Sequence, residues 1–164
     1  MAISNEIRNI KLLLRTVKDP EIPVLSLDDM GIIRDVKSKK DGIEIDVCPT
    51  YNGCPAIDVI PGLIKQTLHD AGYKNVQVNQ VLSPAWTSDW ISQEGREKLK
   101  AYGIAPPVEN CKNDDELFSD SQVVACPLCS SDETSCISKF GSTPCKAQYK
   151  CNTCQEPFEY FKCH

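Results

Sequence analysis

Two Cys-x-x-Cys pairs, "CPLC" at 126–129 and "CNTC" at 151–154, constrain this chain more than any other feature. In such a pair two sulfurs rise from one tight turn toward adjacent corners of a tetrahedron, and the intervening residues bring a second turn opposite the first. Four thiolates from Cys126, Cys129, Cys151 and Cys154 would close a Zn2+ site, with no open position for catalysis. The surrounding segment holds too little aliphatic material to fold on burial alone, so the metal would supply most of its folding free energy. "TSCISKFGS", "KAQYK" and "PFEYFK" read as strands and complete the outline of a zinc ribbon over 123–164. Two unbound thiol pairs or a redox dithiol are the competing readings, with iron as the competing metal.

The ribbon leaves cysteines over. Cys136 lies in a strand pattern and reads as a small buried apolar side chain. Cys145 follows "GSTP" in a turn, and the terminal "KCH" offers Cys163 and His164. These three groups either build a second thiolate-rich site or pack beside the ribbon. Cys48 and Cys111 fit no ligand pattern and are treated as incidental.

Ten cysteines would suit a secreted disulfide scaffold. The N-terminal "MAISNEIRNIKLLLRTV", however, carries Glu6, Arg8, Lys11 and Arg15 and lacks the uncharged core of an export signal or a membrane span. A cytoplasmic protein using its thiols for metal or sulfur chemistry is expected, with no membrane partner. Nucleic acid is disfavoured as well: four lysines stand against five acidic residues after Ser119, and the whole chain has a net charge of -5.

Ahead of the ribbon the pattern is α+β. Ile3, Ile7, Ile10, Leu13, Leu14 and Val17 recur at helical spacing with Ser4 as a cap, and "KDPEIP" ends that helix. "GIIRDVKSKKDGIEIDV" reads as a hairpin turning at "KKDG". "AIDVIPGLIKQTLHDAG" then buries Ile57, Ile60, Ile64 and Leu68 and closes at Gly72, with Pro61 expected to kink or split the helix; His69 falls on its surface. "NVQVNQVL" is a third strand, and "TSDWISQEGREKLKAYG" a last helix capped by Thr87 or Ser88. The order is helix, strand, strand, helix, strand, helix, forming a small mixed sheet domain over 1–105. An acidic, proline-bearing linker, 106–122, joins it to the ribbon.

The junction "YNGCPA" places Cys54 between Gly53 and Pro55, where strand gives way to helix. Pro55 suits the first helical turn, so Cys54 is expected at the N-cap, where the helix dipole would lower its thiol pKa. Such a thiolate can attack or bind a soft metal; capping in place of serine is the alternative. No His or Asn pattern supports a hydrolase relay. Asp19 and Glu21, on the proline-stiffened "DPEIP" loop, either remain solvated or approach a cysteine-bound metal.

"DPEIPVLSLDDMGII", "CPTYNGCPA" and "SPAWTSDWISQEGREKLKAYGIAPP" resemble the SufT-like metal-sulfur cluster biosynthesis domain family. "CPLC" with "SKFGSTPCKAQYKCNTCQEPFEYFKCH" resembles the C-terminal extension of the PaaD/PaaJ-type accessory subunits of phenylacetate-CoA oxygenase systems. The resemblance implies a role in aerobic phenylacetate degradation, where a di-iron monooxygenase epoxidises the ring of phenylacetyl-CoA. It implies an accessory or maturation subunit that assists iron or iron-sulfur insertion, with oxygenase or reductase components as clients. The alternative is a non-catalytic interaction subunit with a purely structural ribbon. In agreement, the chain has neither paired Glu-x-x-His motifs nor a glycine-rich dinucleotide fingerprint. Carried onto this chain, the resemblance assigns cofactor handling to Cys54, Asp19 and Glu21, with Cys145 and Cys163 as extra thiols. It assigns ribbon zinc to Cys126, Cys129, Cys151 and Cys154.

Overall fold

A computed structural model describes residues 2–51, 53–108 and 123–163. Most of the expected linker, together with Cys111 and His164, lies outside the described residues. The chain folds as two compact units, Met1–Trp86 and Thr87–His164.

In the first unit, helix α1 (Ala2–Leu14) precedes strands β1 (Ile33–Lys39) and β2 (Gly42–Val47), helix α2 (Ala56–Asp70) and strand β3 (Val76–Gln80). α1 begins ahead of Ser4, the cap expected from sequence. β1 and β2 pair antiparallel, and β2 pairs parallel with β3, giving the order β1-β2-β3. The hairpin expected from "KKDG" is present, closing where Gly42 adopts a φ of +152°. Only glycine fits there, because a Cβ would lie 2.3 Å from the Asn75 carbonyl oxygen. Period-two alternation buries Ile43, Ile45 and Val47, while Ile10 and Leu14 of α1 and Ile60, Ile64 and Leu68 of α2 join them in the core.

α2 runs unbroken through Pro61. Proline forfeits one backbone donor, and burial of the Ile60, Ile64 and Leu68 stripe offsets that local loss. Its end is a Schellman motif: Gly72, at φ +96°, donates to the His69 carbonyl at 2.9 Å, and Tyr73 N–H donates to the Leu68 carbonyl at 3.0 Å. His69 is exposed, as the sequence pattern requires.

Between α1 and β1 the "DPEIPVLSLDDMGII" loop is fixed by its own side chains. Asp19 Oδ1 accepts from Glu21 N–H and Ile22 N–H, each at 2.8 Å. Ser26 and Asp29 cap one another: Ser26 N–H donates to Asp29 Oδ2, and Asp29 N–H donates to Ser26 Oγ. Ile22, Leu25, Leu27 and Met30 are buried beneath these bonds, and Trp86 Nε1 donates to the Met30 carbonyl at 2.8 Å.

The last helix expected from sequence divides in two. Thr87 caps a single 3-10 turn, Ser88–Trp90; Ile91 is extended; Ser92 then caps helix α3 (Gln93–Ala101), accepting from Gly95 N–H at 2.9 Å. This segment belongs to the second unit. Strand β4 (Ile104–Ala105) pairs parallel with strand β7 (Pro157–Phe161), and β7 pairs antiparallel with strand β6 (Lys146–Cys151). Strand β5 (Thr134–Ser138) completes the order β4-β7-β6-β5. By contact the division therefore falls after Trp86, and residues 87–105, which the sequence groups with the first domain, serve the ribbon. Ala105, Val124, Ala147, Tyr149, Phe158 and Tyr160 form its core.

Candidate functional site

The ribbon cysteines come from two turns of the same design. Cys126 N–H donates to the Ser131 carbonyl, and Cys151 N–H donates to the Glu156 carbonyl. Each pair is followed by a residue in the left-handed region, Ser130 at φ 61° and Gln155 at φ 66°. That conformation reverses the chain immediately after the second sulfur of each knuckle, and non-glycine residues adopt it here at some local cost.

The turns converge. Cys126 Sγ lies 3.8 Å from Cys154 Sγ, and Cys129 Sγ lies 3.5 Å from Cys151 Sγ. All four sulfurs fall within 4.8 Å of one another, and among the described residues this is the one group of three or more candidate ligands so gathered. Metal-sulfur bonds of about 2.3 Å in a tetrahedron require sulfur separations of roughly 3.8 Å, so the cluster fits Zn2+. Its electrostatics agree. The Cys154 N–H donates to Cys151 Sγ at 3.4 Å, and with the Thr153 N–H it brings the Cys151 thiol down to about 6. Negative sulfur at Cys151 in turn disfavours a second thiolate nearby, a repulsion that a bound dication removes.

Cys54 occupies a different environment. The helix N-cap is Pro55, so Cys54 stands one residue outside it; Gly53, at φ +86°, makes the sharp approach. The thiol is 6% exposed. Its pKa is raised, not lowered as the helix-terminus argument predicts. Burial is the main cause, only partly opposed by hydrogen bonds from the Ala56 N–H and the Thr50 side chain, and the Glu21 and Asp19 carboxylates push in the same direction as burial. The loop thus does bring both acidic groups close enough to act on Cys54. Asp19 is itself 5% exposed, so it is not the solvated carboxylate that composition suggests. Thr50, buried beside Cys54, is a polar neighbour that sequence reading did not single out. Its place four residues before the cysteine, in the turn that follows β2, was the available signal.

The surplus cysteines are distributed otherwise than expected. Cys136 is exposed, because the edge strand β5 leaves its flank open. Cys145 is buried, 3.0 Å from Thr143 Oγ1. Cys163 is buried, 3.3 Å from the Tyr160 hydroxyl, and disulfide-bonded, so in this state it offers no thiolate. Cys48 is buried with its sulfur 3.6 Å from the Pro49 carbonyl oxygen, consistent with a packing role.

Comparison with known proteins follows the same two-part division. Residues 110–162 match the PaaD zinc beta ribbon domain, and residues 7–80 match a family described as iron-sulfur cluster assembly protein. The chain is 45% identical over 159 residues to a putative subunit of the 1,2-phenylacetyl-CoA epoxidase of Escherichia coli (strain K12), covering 96% of this chain and 93% of that one. It is 34% identical over 93 residues to an Fe-S protein maturation auxiliary factor of Porphyromonas gingivalis, covering 56% of this chain and 88% of the relative. A crystal structure of a domain of unknown function, DUF59, from Bacillus anthracis shares the fold at a TM-score of 0.56 and 24% identity, covering 60% of this chain and 95% of that one. Among the described residues no helix is long and apolar enough to cross a membrane.

Proposed function

Because the chain belongs to the PaaD family of phenylacetyl-CoA epoxidase subunits, with an iron-sulfur assembly domain followed by a PaaD zinc ribbon, we propose that it is a maturation factor for that epoxidase system. In this reading Cys54 transiently holds iron or an iron-sulfur cluster as cargo, and the ribbon docks a reductase or oxygenase component that receives it. Zn2+ in the ribbon is structural, and the protein works in the reducing cytoplasm.

The observation that carries this reading is the electrostatic setting of Cys54. A nucleophile needs its thiolate stabilised before the reaction, and here burial, Glu21 and Asp19 all disfavour a bare thiolate. The same two carboxylates favour a cation. When iron bonds to the sulfur, the thiol proton leaves, and the negative charges that opposed the thiolate alone now stabilise the metal-thiolate pair. Soft sulfur suits iron, and a site with one thiolate and two nearby carboxylates releases its cargo more readily than a four-thiolate cage. The test is anaerobic reconstitution of the purified protein beside Cys54→Ala, with iron and sulfide quantified. Metal bound by the wild type and lost in the variant is the expected result; equal loading would overturn the assignment.

A second reading has its own observation. A buried, protonated thiol hydrogen-bonded to Thr50 and Ala56 also describes a packing residue at a helix start. In that case the chain is an interaction subunit, and Cys54→Ser leaves epoxidase activity intact in cells.

A further inference from the structure

The two knuckles of the ribbon are joined by more than their sulfurs. The pair Thr134 and Cys151 ends the ladder of β5 and β6, and beyond it the Asn152 N–H still donates to the Glu133 carbonyl at 2.7 Å. One step further out the joining passes to side chains: Ser131 Oγ and Thr153 Oγ1 lie 2.7 Å apart, one hydroxyl from each knuckle. Ser131 is held from both sides, because its carbonyl accepts from the Cys126 N–H at 2.9 Å and its Oγ accepts from the Glu133 N–H at 3.1 Å. The Thr153 N–H donates to Cys151 Sγ. Each hydroxyl is thus fixed through its own backbone to a cysteine of its knuckle, and the bond between them forms at little cost in side-chain entropy.

We propose that Ser131 and Thr153 form a positioning clasp that keeps the two Cys-x-x-Cys turns together and slows the loss of metal from the four-sulfur cluster. Exposure shows where the clasp acts. Cys126 and Cys151 are buried, whereas Cys129 is exposed and Cys154 half-buried, so a competing ligand approaches from the side of the second cysteine in each pair. Thr153 adjoins Cys154 in the chain, and Ser131 lies two residues past Cys129, which puts the clasp at that open side. With the hydroxyls apart, the knuckles can spread there, where a chelator exchanges for a thiolate. Groups behind the first ligands commonly set metal affinity by holding those ligands in place. The inference rests on zinc filling the four-sulfur cluster and is independent of the role of Cys54.

The test is release of Zn2+ from the full, metal-loaded chain to an excess of chromogenic chelator. Ser131→Ala and Thr153→Val should each speed release by about tenfold, and combining them should add nothing, since both remove the same bond. Thr153→Ser keeps the hydroxyl and should restore the wild-type rate. Ser135→Ala, on the same edge, loses only a 3.4 Å contact to Asn152 Oδ1 and should leave the rate unchanged. With Co2+ in place of zinc, every variant should keep the visible spectrum of four-thiolate coordination, which separates faster release from a ribbon that has lost its fold. One zinc per chain in the wild type checks the cluster, and the ratio of release rates checks the clasp. Equal release by the wild type and both single variants, a double variant faster than either, failure of Thr153→Ser to restore the rate, a matching acceleration in Ser135→Ala, or loss of the four-thiolate spectrum would overturn the proposal.

Discussion

Cys126 Sγ and Cys154 Sγ, twenty-eight positions apart in sequence, stand 3.8 Å apart across the two knuckles of the ribbon. That is the edge length of a tetrahedron with metal-sulfur bonds of about 2.3 Å. The small core around Tyr149, Phe158 and Tyr160 closes over the same turns. Metal removal is therefore expected to unfold the ribbon and leave the first unit intact. Chelator titration followed by near-ultraviolet circular dichroism should show loss of the aromatic signal from the second unit, while α1 and α2 keep their far-ultraviolet signal. Cys126→Ser should reproduce the effect without chelator.

Cys54→Ala is expected to fold, because removing one buried sulfur costs on the order of 1 kcal/mol, well within the stability of a domain of this size. Its effect should appear in maturation. Epoxidase produced in cells carrying the variant should contain less iron and show lower activity per molecule. Full iron content with the variant would favour the interaction-subunit reading.

The raised Cys54 pKa predicts a particular pH profile. Alkylation followed site by site by mass spectrometry should show Cys54 reacting with a midpoint above the ordinary thiol value of 9.0. Because the folded value exceeds the unfolded one, the protonated thiol contributes stability that is fully present below pH 9 and lost as the pH rises through the folded value. Asp19→Asn keeps a side-chain oxygen to accept from the Glu21 and Ile22 backbone while removing the charge. It should shift the Cys54 midpoint downward and weaken iron binding together, a pairing that a purely structural role for Asp19 would not produce.

Lys146 and Glu159 form the ion pair that fixes the "FGSTPC" loop. Lys146 Nζ donates to Glu159 Oε2 at 2.8 Å, and Ser142 N–H donates to Glu159 Oε1 at 2.5 Å. Lys146 is buried, so Lys146→Met frees Glu159 from its cation and Glu159→Gln leaves the ammonium uncompensated. The latter is expected to cost about 2–4 kcal/mol, somewhat under the range for fully buried pairs because Glu159 keeps partial access to water. Gly141→Ala should act through the same group, since a Cβ there would sit 2.7 Å from Glu159 Oε1. Thermal unfolding of the metal-loaded variants measures both effects.

Much of this was legible from local pattern. The spacing of "CPLC" and "CNTC" specified a four-sulfur cluster, because tetrahedral coordination by two turns depends on residues near each other in sequence. Of Ile57, Ile60, Ile64 and Leu68, expected on one buried face of α2, the last three are buried and Ile57 is only partly so, while Gly72 marks the helix end, because helical period and left-handed closure are equally local. Ser92 was the missed signal: it caps α3 more directly than Thr87 or Ser88, and the extended Ile91 between them was hidden by an apolar pattern that looked continuous.

Other properties were decided by tertiary structure. The sequence placed Cys54 at a helix start, and from that alone a lowered pKa followed; the fold buried it and brought Glu21 and Asp19 toward it, and the sign reversed. Cys136 sits in a strand as expected, yet it is exposed because that strand is last in its sheet. Residues 87–105 follow the first domain in the chain but belong with the ribbon, because β4 found its partner in β7. Sequence by itself determines dihedral preference, period and ligand spacing, which are properties of neighbouring residues. Burial, sheet order and the electric field at one sulfur are sums over segments distant in sequence, and only the folded chain brings those segments together.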